Sequence, residues 1–300
     1  MRRLVFLALT VVALLGLVAC GDDTDETTTG DDTTTSTTEA TTTTGDDDTT
    51  TTSSDDADDD DADETAMVRV YFVLGEHVAT AGRDVEAPAV ADGAMRALLA
   101  GPEGIEAELG MGSEIPEGTE LLGVDVADGV ATVDLSREFE SGGGSLSMTV
   151  RVAQVVMTLT QFDTVDSVDI RLDGEPVEAI GGEGVLATGL TRDDVRDQTP
   201  LILVESPVPG EEVGDELRVT GISNTFEATV EWVLTDADGL IVGEGFTTAT
   251  AGTGTWGEFD FTIDVPADTG PRGSIILFES SPRDGSQENV YEVPIRFAES

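Results

Sequence analysis

Few side chains in this chain are suited to catalysis, and the two rarest occur once each. Among 300 residues there is one cysteine, Cys20, and one histidine, His77. A serine or cysteine nucleophile activated by histidine would depend on His77, which lies in a glycine-flanked segment without a partner motif. Zinc would find too few imidazole and thiolate ligands. We therefore predict an exposed His77 and no catalytic, cofactor-binding or metal-binding residues.

Carboxylates are the abundant reactive groups. The chain has 62 acidic residues, and 44 of them follow position 66. Two carboxylates can hydrolyse a glycosidic bond, but with this abundance any pair can be chosen by chance, so no pair is singled out. The run Asp236-Ala237-Asp238-Gly239 resembles the start of a calcium loop, yet the later ligands are missing at the required spacing. We predict a hairpin turn there instead.

Cys20 is the one residue whose surroundings indicate a defined chemical fate. It ends the stretch Leu17-Val18-Ala19-Cys20, which resembles the bacterial lipobox, where the thiol receives a diacylglyceryl group. Arg2 and Arg3 precede an apolar run over residues 4–18, as in a secretory signal, and the run is shorter than the roughly 20 residues of a transmembrane helix. We predict a signal peptide at residues 1–19 and a lipidated Cys20 that anchors the protein on the outer side of the cell membrane. The alternative is a secreted protein with an unmodified cysteine near its cleavage site.

A disordered tether is predicted for residues 20–66. Residues 21–66 contain 18 threonines, 18 acidic residues and no apolar side chain larger than alanine, so they cannot bury enough surface to offset chain entropy. Their aspartate runs are interpreted as solvated charge. The whole chain has a net charge of -48. This charge argues against nucleic acid as a partner and against direct attraction to anionic lipids, so the membrane contact is expected from the lipid alone.

Residues 67–195 are predicted to form an α+β domain. Runs rich in β-branched and aromatic residues predict strands at residues 68–74, 120–126, 130–135 and 165–172. Apolar residues at three-to-four spacing predict two helices, from Pro88 to Gly101 and over residues 146–161. Residues 75–87 are predicted to be a loop. This order of elements favours one sheet with two helices packed on one face.

A polar connector at residues 191–200 leads to a second predicted domain, residues 200–298. Short alternating runs predict strands at residues 201–205, 216–222, 228–235, 240–248, 257–265, 274–279 and 290–297. Seven strands without a helical period argue for an antiparallel sandwich. Its core is expected to rest on Val, Ile and Leu faces and on five aromatic residues: Trp232, Phe246, Trp256, Phe259 and Phe261.

The first domain resembles a known family in several blocks that occur in the right order. The blocks are Leu98-Leu99-Ala100-Gly101-Pro102, Ile115-Pro116-Glu117-Gly118-Thr119, Asp128-Gly129-Val130-Ala131-Thr132-Val133-Asp134-Leu135, Ala153-Gln154-Val155-Val156-Met157-Thr158-Leu159 and Val165-Asp166-Ser167-Val168. They are similar to the GerMN-type sporulation and spore germination domain. The resemblance implies a non-enzymatic envelope domain, similar in build to ring-building modules of secretion-like complexes.

The second domain also resembles a family, the immunoglobulin-like domain of bacterial spore germination proteins. The matching segments are Ile202-Leu203-Val204-Glu205-Ser206-Pro207 with Pro209-Gly210, Val219-Thr220-Gly221 with Phe226-Glu227-Ala228, and Glu231-Trp232-Val233-Leu234 before Asp238-Gly239. In that family the domain commonly follows a GerMN-type domain. The pairing implies an envelope accessory protein.

Two functional hypotheses follow. In the first, the protein is a membrane-anchored, non-enzymatic structural or interaction module that binds an envelope protein or the cell wall and could form a homo-oligomer. In the second, it binds, and could hydrolyse, peptidoglycan or its fragments, with residues 75–87 and the connector between the domains forming the cleft. The absence of a catalytic residue set in the sequence favours the first hypothesis.

Overall fold

The structure of the protein is a computed structural model that describes residues 64–298, except residues 183 and 268. The predicted signal peptide, Cys20 and almost all of the predicted tether lie outside the described residues. Thr65 and Ala66, at the end of the predicted tether, belong to the first strand and pair with Glu86 and Val85. The first strand thus includes the last two residues of the predicted tether, because pairing with a second strand orders them.

The first half of the described chain contains both helices and strands. Its strands are β1 (Thr65–Leu74), β2 (His77–Glu86), β3 (Leu121–Ala127), β4 (Val130–Leu135), β5 (Ser167–Leu172), β6 (Glu175–Pro176), β7 (Ala179–Ile180) and β8 (Val185–Leu186). Its helices are α1 (Val90–Ala100), α2 (Ile105–Glu108) and α3 (Ser145–Leu159), with 3-10 segments at Arg137–Glu140 and Arg192–Gln198.

The segment predicted as a loop, residues 75–87, is mostly strand β2, so this prediction is wrong. β2 pairs antiparallel with β1, from Leu74 opposite His77 to the strand ends. Gly75, with a φ of 67°, and Glu76 form the turn, and glycine at the first turn position is typical of a two-residue hairpin. β2 is rich in alanine and lacks a run of large β-branched residues. Pairing with β1, which the local sequence does not show, makes it a strand.

Both predicted long helices are confirmed as α1 and α3. The central helix, α3, is buried on every side from Val150 to Leu159, including the polar residues Arg151, Gln154 and Thr158. It contacts α1 and strands of two different sheets, β1 and β5. A helix buried all round is enclosed by its neighbours, so α3 does not simply cover one face of a sheet.

The four predicted strands are present, but they do not form one sheet. β1 and β2 form a two-stranded sheet, and β3, β4, β5 and β6 form a separate four-stranded sheet. Within it, β3 and β4 form the hairpin predicted at Asp128-Gly129, and β4 and β5 are parallel. The α+β class is confirmed. The prediction of a single sheet is wrong, because α3 has two apolar sides and packs against both sheets.

The second half of the described chain is a β-sandwich, as predicted. Its strands are β9 (Ile202–Ser206), β10 (Glu212–Val213), β11 (Glu216–Ser223), β12 (Thr229–Asp236), β13 (Ile241–Thr248), β14 (Gly257–Asp264), β15 (Arg272–Ser280) and β16 (Gln287–Phe297). The sheets have the orders β10-β16-β15-β12-β13 and β14-β11-β9. All seven predicted strands are confirmed, and β10 is an additional short strand that pairs parallel with β16. The turn predicted at Asp238-Gly239 joins β12 to β13.

The aromatic core of the sandwich differs from its prediction at two residues. Phe259 is buried, and Trp232 stacks on Phe261 with a centroid distance of 5.9 Å. Phe246, in contrast, is 72% exposed, because it lies on the outward face of the edge strand β13. Trp256 packs against the apolar cluster that continues into the first half of the chain.

The two halves belong to one compact unit. Leu203 and Ile222 of the sandwich lie in the same buried apolar cluster as the core of the α+β half, and Trp256 and Tyr291 pack against that cluster. The boundary between the halves is therefore an apolar interface, which we call the domain junction. It is built from β1, β2 and the 192–198 segment on one side and from β9, β11 and the ends of β14 and β16 on the other.

Candidate functional site

The domain junction contains a polar triad, in which Tyr71 is buried and Arg192 and Glu205 are partly buried. The Tyr71 hydroxyl donates a hydrogen bond of 2.7 Å to Glu205 Oε1, and Arg192 Nη1 donates one of 2.6 Å to the same oxygen. Arg192 also donates to the Tyr71 oxygen and, through Nε, to Thr160 Oγ1. The three side chains come from β1, the 192–198 segment and β9. The triad therefore joins residues of both halves.

The environment of the triad changes the pKa values of its members. Burial raises the pKa of Glu205, but the charge and hydrogen bonds of Arg192 oppose this effect, and the net pKa lies below the usual glutamate value. Burial also raises the pKa of Tyr71 far above its ordinary value, and the neighbouring Glu205 carboxylate adds to the increase. The stable state is a neutral tyrosine between a carboxylate and a guanidinium. This arrangement is an ion pair with a hydroxyl donor, and all three groups already have partners.

Close packing at two further places brings the halves together. The backbone N–H of Thr80 in β2 donates a 3.2 Å hydrogen bond to the Tyr291 hydroxyl of β16. A Cβ atom at Gly82 would lie 2.6 Å from Cγ2 of Val208, so glycine at this position is needed for the close approach of β2 to the second half. Together with the triad, these contacts resist rotation of one half against the other.

Other buried charges of the α+β half have structural partners. Arg83 donates two hydrogen bonds to Glu106, of 2.5 and 2.6 Å, and thereby joins β2 to α2. Among the described residues Arg151 has no carboxylate partner, but its guanidinium donates to the carbonyl oxygens of Phe139, Ser141 and Gly142 and holds the glycine-rich segment before α3. Both sets stabilise the fold, and Arg83 also lines a second cleft, of about 460 Å³, beside Gly82 and Val208.

A cleft of about 530 Å³ opens at one edge of the domain junction. It is lined by His77 at the start of β2, by Arg196 and Asp197 of the 192–198 segment and by residues 199–201 after that segment. The second half contributes Asn224 after β11, Trp256 before β14, and Asn289 and Val290 near the start of β16. His77 is exposed, as predicted. The structure thus brings His77 and the connector to one cleft, while residues 78–86 of the predicted cleft segment are strand and do not line it.

Arg196 is the most unusual side chain of this cleft. Its guanidinium carbon lies 4.8 Å from the centroid of the Trp256 ring. Its Nε donates to Asp193, a residue with an 87% exposed side chain, at 3.2 Å. Nη1 is buried and has no hydrogen-bond partner among the described residues. Sequence reasoning missed Arg196 and the triad, because nothing in the local pattern separates these residues from other charged residues.

No group of three or more His, Cys, Asp or Glu side chains suited to a metal ion occurs among residues 64–298, leaving aside residues 183 and 268. The Asp236–Gly239 run is a turn in which Asp236 Oδ1 accepts hydrogen bonds from the backbone N–H groups of Asp238 and Leu240. That carboxylate oxygen is thus occupied by the turn itself. In the described part of the chain, no helix has the length and apolar character needed to cross a membrane.

Comparison with known protein families gives two matches. Residues 57–178 match the family described as sporulation and spore germination. Residues 201–286 match the family described as the immunoglobulin-like domain of bacterial spore germination. This chain contains both domains. The first match includes β1, β2 and α3, and the second includes β9 to β15. Of the triad, Tyr71 lies within the first match, Glu205 within the second, and Arg192 between them.

Three solved structures that are similar to the chain come from two organisms. A protein from Clostridium perfringens described as a lipoprotein is 18% identical, with a TM-score of 0.33, and the match covers 45% of this chain and 93% of that one. The first GerMN domain of the sporulation protein GerM from Bacillus subtilis is 25% identical, with a TM-score of 0.34 and coverages of 43% and 99%. The tandem GerMN domains of the same protein are 20% identical, with a TM-score of 0.38 and coverages of 67% and 62%. Among curated proteins, none matches this chain.

Proposed function

We propose that this protein is an extracytoplasmic lipoprotein, anchored through Cys20, whose two domains act together as a non-enzymatic interaction module for an envelope protein or the cell wall. The two sporulation and germination domains support an accessory role of this kind. The lipobox-like stretch before Cys20 supports the anchor. A threonine- and aspartate-rich segment of more than 40 residues separates that anchor from the first strand.

The observation that carries the proposal is the polar triad at the domain junction. Tyr71, Arg192 and Glu205 hold the two domains in one orientation through hydrogen bonds of 2.6 and 2.7 Å to a single carboxylate oxygen. A partner that contacts both domains then meets a preorganised surface, and preorganisation lowers the entropic cost of binding. The partner would be a second envelope protein, the wall, or a second copy of the chain.

Anchoring is tested by cell fractionation of the Cys20→Ser variant. Removal of the thiol abolishes lipid attachment, and both folded domains lack this residue, so we expect folded protein to leave the membrane fraction. The matched control is Thr24→Ser, which changes a nearby residue and leaves Cys20 in place. If Cys20→Ser protein stays in the membrane fraction, the proposed anchor is wrong.

The interaction role is tested by photo-crosslinking in live cells with the full chain. A photoreactive amino acid is placed at Leu122 in the first domain or at Phe246 in the second, which are 50% and 72% exposed. We expect a discrete adduct with an envelope protein, with wall material or with a second copy of the chain. The proposal fails if neither position gives such an adduct. It also fails in its non-enzymatic part if the purified protein degrades wall material and one carboxylate substitution abolishes that turnover.

A further inference from the structure

The cleft at the edge of the domain junction contains polar groups whose hydrogen-bonding capacity the fold does not use. Arg196 makes a hydrogen bond through Nε, and its buried Nη1 has no partner among the described residues. Asn224 Oδ1 accepts from the N–H of Gly254, and the Asn224 amide N–H groups make no hydrogen bond in the same part of the chain, so they are free to donate to water or to a ligand. Buried donors are normally paired, so the unpaired Nη1 of Arg196 beside a cleft indicates a polar ligand.

Acceptors lie in the same cleft. Asn289 donates through Nδ2 to Glu279, and its Oδ1 has no partner among residues 64–298 that the structure describes. The exposed Asp197 also lines the cleft. The cleft therefore presents donors from Arg196 and Asn224 together with acceptors from Asn289 and Asp197.

Apolar surface separates these polar groups. Trp256, Leu201 and Val290 line the cleft, and the last two are 40% and 54% exposed. The volume of about 530 Å³ lies within the range of roughly 300–1,000 Å³ that is usual for small-molecule sites. Such a site binds a ligand that has apolar faces as well as both hydrogen-bond donors and acceptors.

Charge narrows the class of ligand. The chain has a net charge of -48, which repels anions from its surface. A cation in the cleft would meet the guanidinium of Arg196, whose carboxylate partner Asp193 is mostly exposed and therefore screened by solvent. An uncharged ligand is repelled neither by the net negative charge of the chain nor by the Arg196 guanidinium. Its hydroxyl or carbonyl oxygens could accept hydrogen bonds from Arg196.

The elements that line the cleft favour a saccharide over a peptide as the ligand. Peptides are commonly bound as an added strand along the open edge of a sheet. The residues that line this cleft come from the ends of strands and from connections: His77 begins β2, Asn224 follows β11, and Trp256 precedes β14. A sugar ring has hydroxyl groups that both donate and accept, around C–H faces that pack on apolar and aromatic side chains. We infer that the cleft at the domain junction binds an uncharged saccharide, with Arg196 and Asn224 donating to its oxygens. This site does not depend on the proposed anchor or partner.

The inference is tested with the full chain carrying Trp232→Phe, so that Trp256 is the one remaining tryptophan. The probes are the tetramer of N-acetylglucosamine, cellotetraose and the uncharged peptide acetyl-tetraalanine amide, each titrated to about 10 mM. We expect at least one saccharide to change the Trp256 fluorescence and to give saturable heat in calorimetry, while the peptide does neither. Arg196→Met keeps an apolar stem on Trp256 but removes the donors, and it should weaken saccharide binding by about tenfold or more.

Arg218→Met serves as the matched control, and Asn289→Gly tests a second residue of the cleft. Arg218→Met removes the same charge from an exposed ion pair with Asp260 and should bind like the parent protein. Asn289→Gly removes a cleft acceptor at an exposed position with a φ of 53°, which glycine adopts without strain, and it should weaken binding. The inference is overturned if no saccharide binds, if the peptide binds and the saccharides do not, or if Arg196→Met and Asn289→Gly both bind as the parent does.

Discussion

Arg192 and Arg196 lie on the same 3-10 segment, and each guanidinium lies over an aromatic ring of the domain junction. Arg192, 5.9 Å from the Tyr71 centroid, donates to Glu205, Tyr71 and Thr160. Arg196, 4.8 Å from the Trp256 centroid, has a side chain as exposed as that of Arg192, but it has one exposed carboxylate partner, and its buried Nη1 is unpaired among the described residues. Two residues of the same type, in the same local structure, therefore differ in what surrounds them. A fully paired guanidinium stabilises the fold, whereas an unpaired one retains the capacity to bind a ligand.

The largest difference in stability is expected when each of the two arginines is replaced in turn. Arg192→Met leaves the Glu205 carboxylate in the junction without its cation and should lower the free energy of unfolding by about 3 kcal/mol. Arg196→Met removes only a solvent-screened pair with Asp193 and should cost less than about 1 kcal/mol. Urea unfolding of the two variants and the parent protein measures both values. Equal losses would show that the two arginines do not have the different roles assigned here.

The contribution of the triad to the free energy of unfolding should also depend on pH, unlike that of the Arg196–Asp193 pair. The folded pKa of Glu205 lies below the ordinary glutamate value. Its contribution to stability is therefore complete above about pH 4.3, the unfolded pKa, and is lost as the pH falls through the lower folded pKa. The difference in free energy of unfolding between the parent and Glu205→Gln should be about 2 kcal/mol near neutral pH and should shrink below about pH 4.3.

The control for this measurement is Asp193→Asn, which removes the exposed partner of Arg196. Its effect on stability should be small and should change little with pH, because solvent screens that pair. A Glu205→Gln difference that stays constant down to about pH 2 would contradict the role given to the ionised carboxylate.

The smallest expected effect concerns the hydroxyl group of the triad. Tyr71→Phe keeps the ring under Arg192 and removes one hydrogen bond to Glu205. Because Arg192 still neutralises the carboxylate, the free energy of unfolding should fall by about 1 kcal/mol, which thermal unfolding can detect. A loss larger than that of Arg192→Met would mean that the hydroxyl, and not the cation, holds the junction.

Elements with a strong local pattern were predictable. The seven alternating runs of the second half became strands β9 and β11 to β16, and the three-to-four apolar spacing became α1 and α3. β2 was missed because its small residues have no such pattern, and it becomes a strand by pairing with β1. The exposure of Phe246 was missed because alternation in an edge strand does not show which face is covered.

The candidate sites were less predictable than the elements. The hypothesis of a cleft formed by residues 75–87 and the connector covers His77 and residues 196, 197, 199 and 200, which do line one cleft. It did not lead to Asn224, Trp256 or Asn289, because these residues are far apart in the chain and meet only at the ends of the sandwich strands. The triad was missed for the same reason, since Tyr71 and Glu205 are 134 positions apart.

The sequence by itself determined the two long helices, the long strands other than β2, the α+β and sandwich classes, the strong negative charge and the export-like N-terminal stretch. Each of these follows from composition or from spacing over fewer than about 20 residues, where backbone geometry sets the pattern. Only the tertiary structure decided that the strands of the first domain form two sheets around α3 and that the two domains share one interface. It also decided which of two neighbouring arginines is paired, because pairing and burial depend on contacts between distant segments that no local pattern contains.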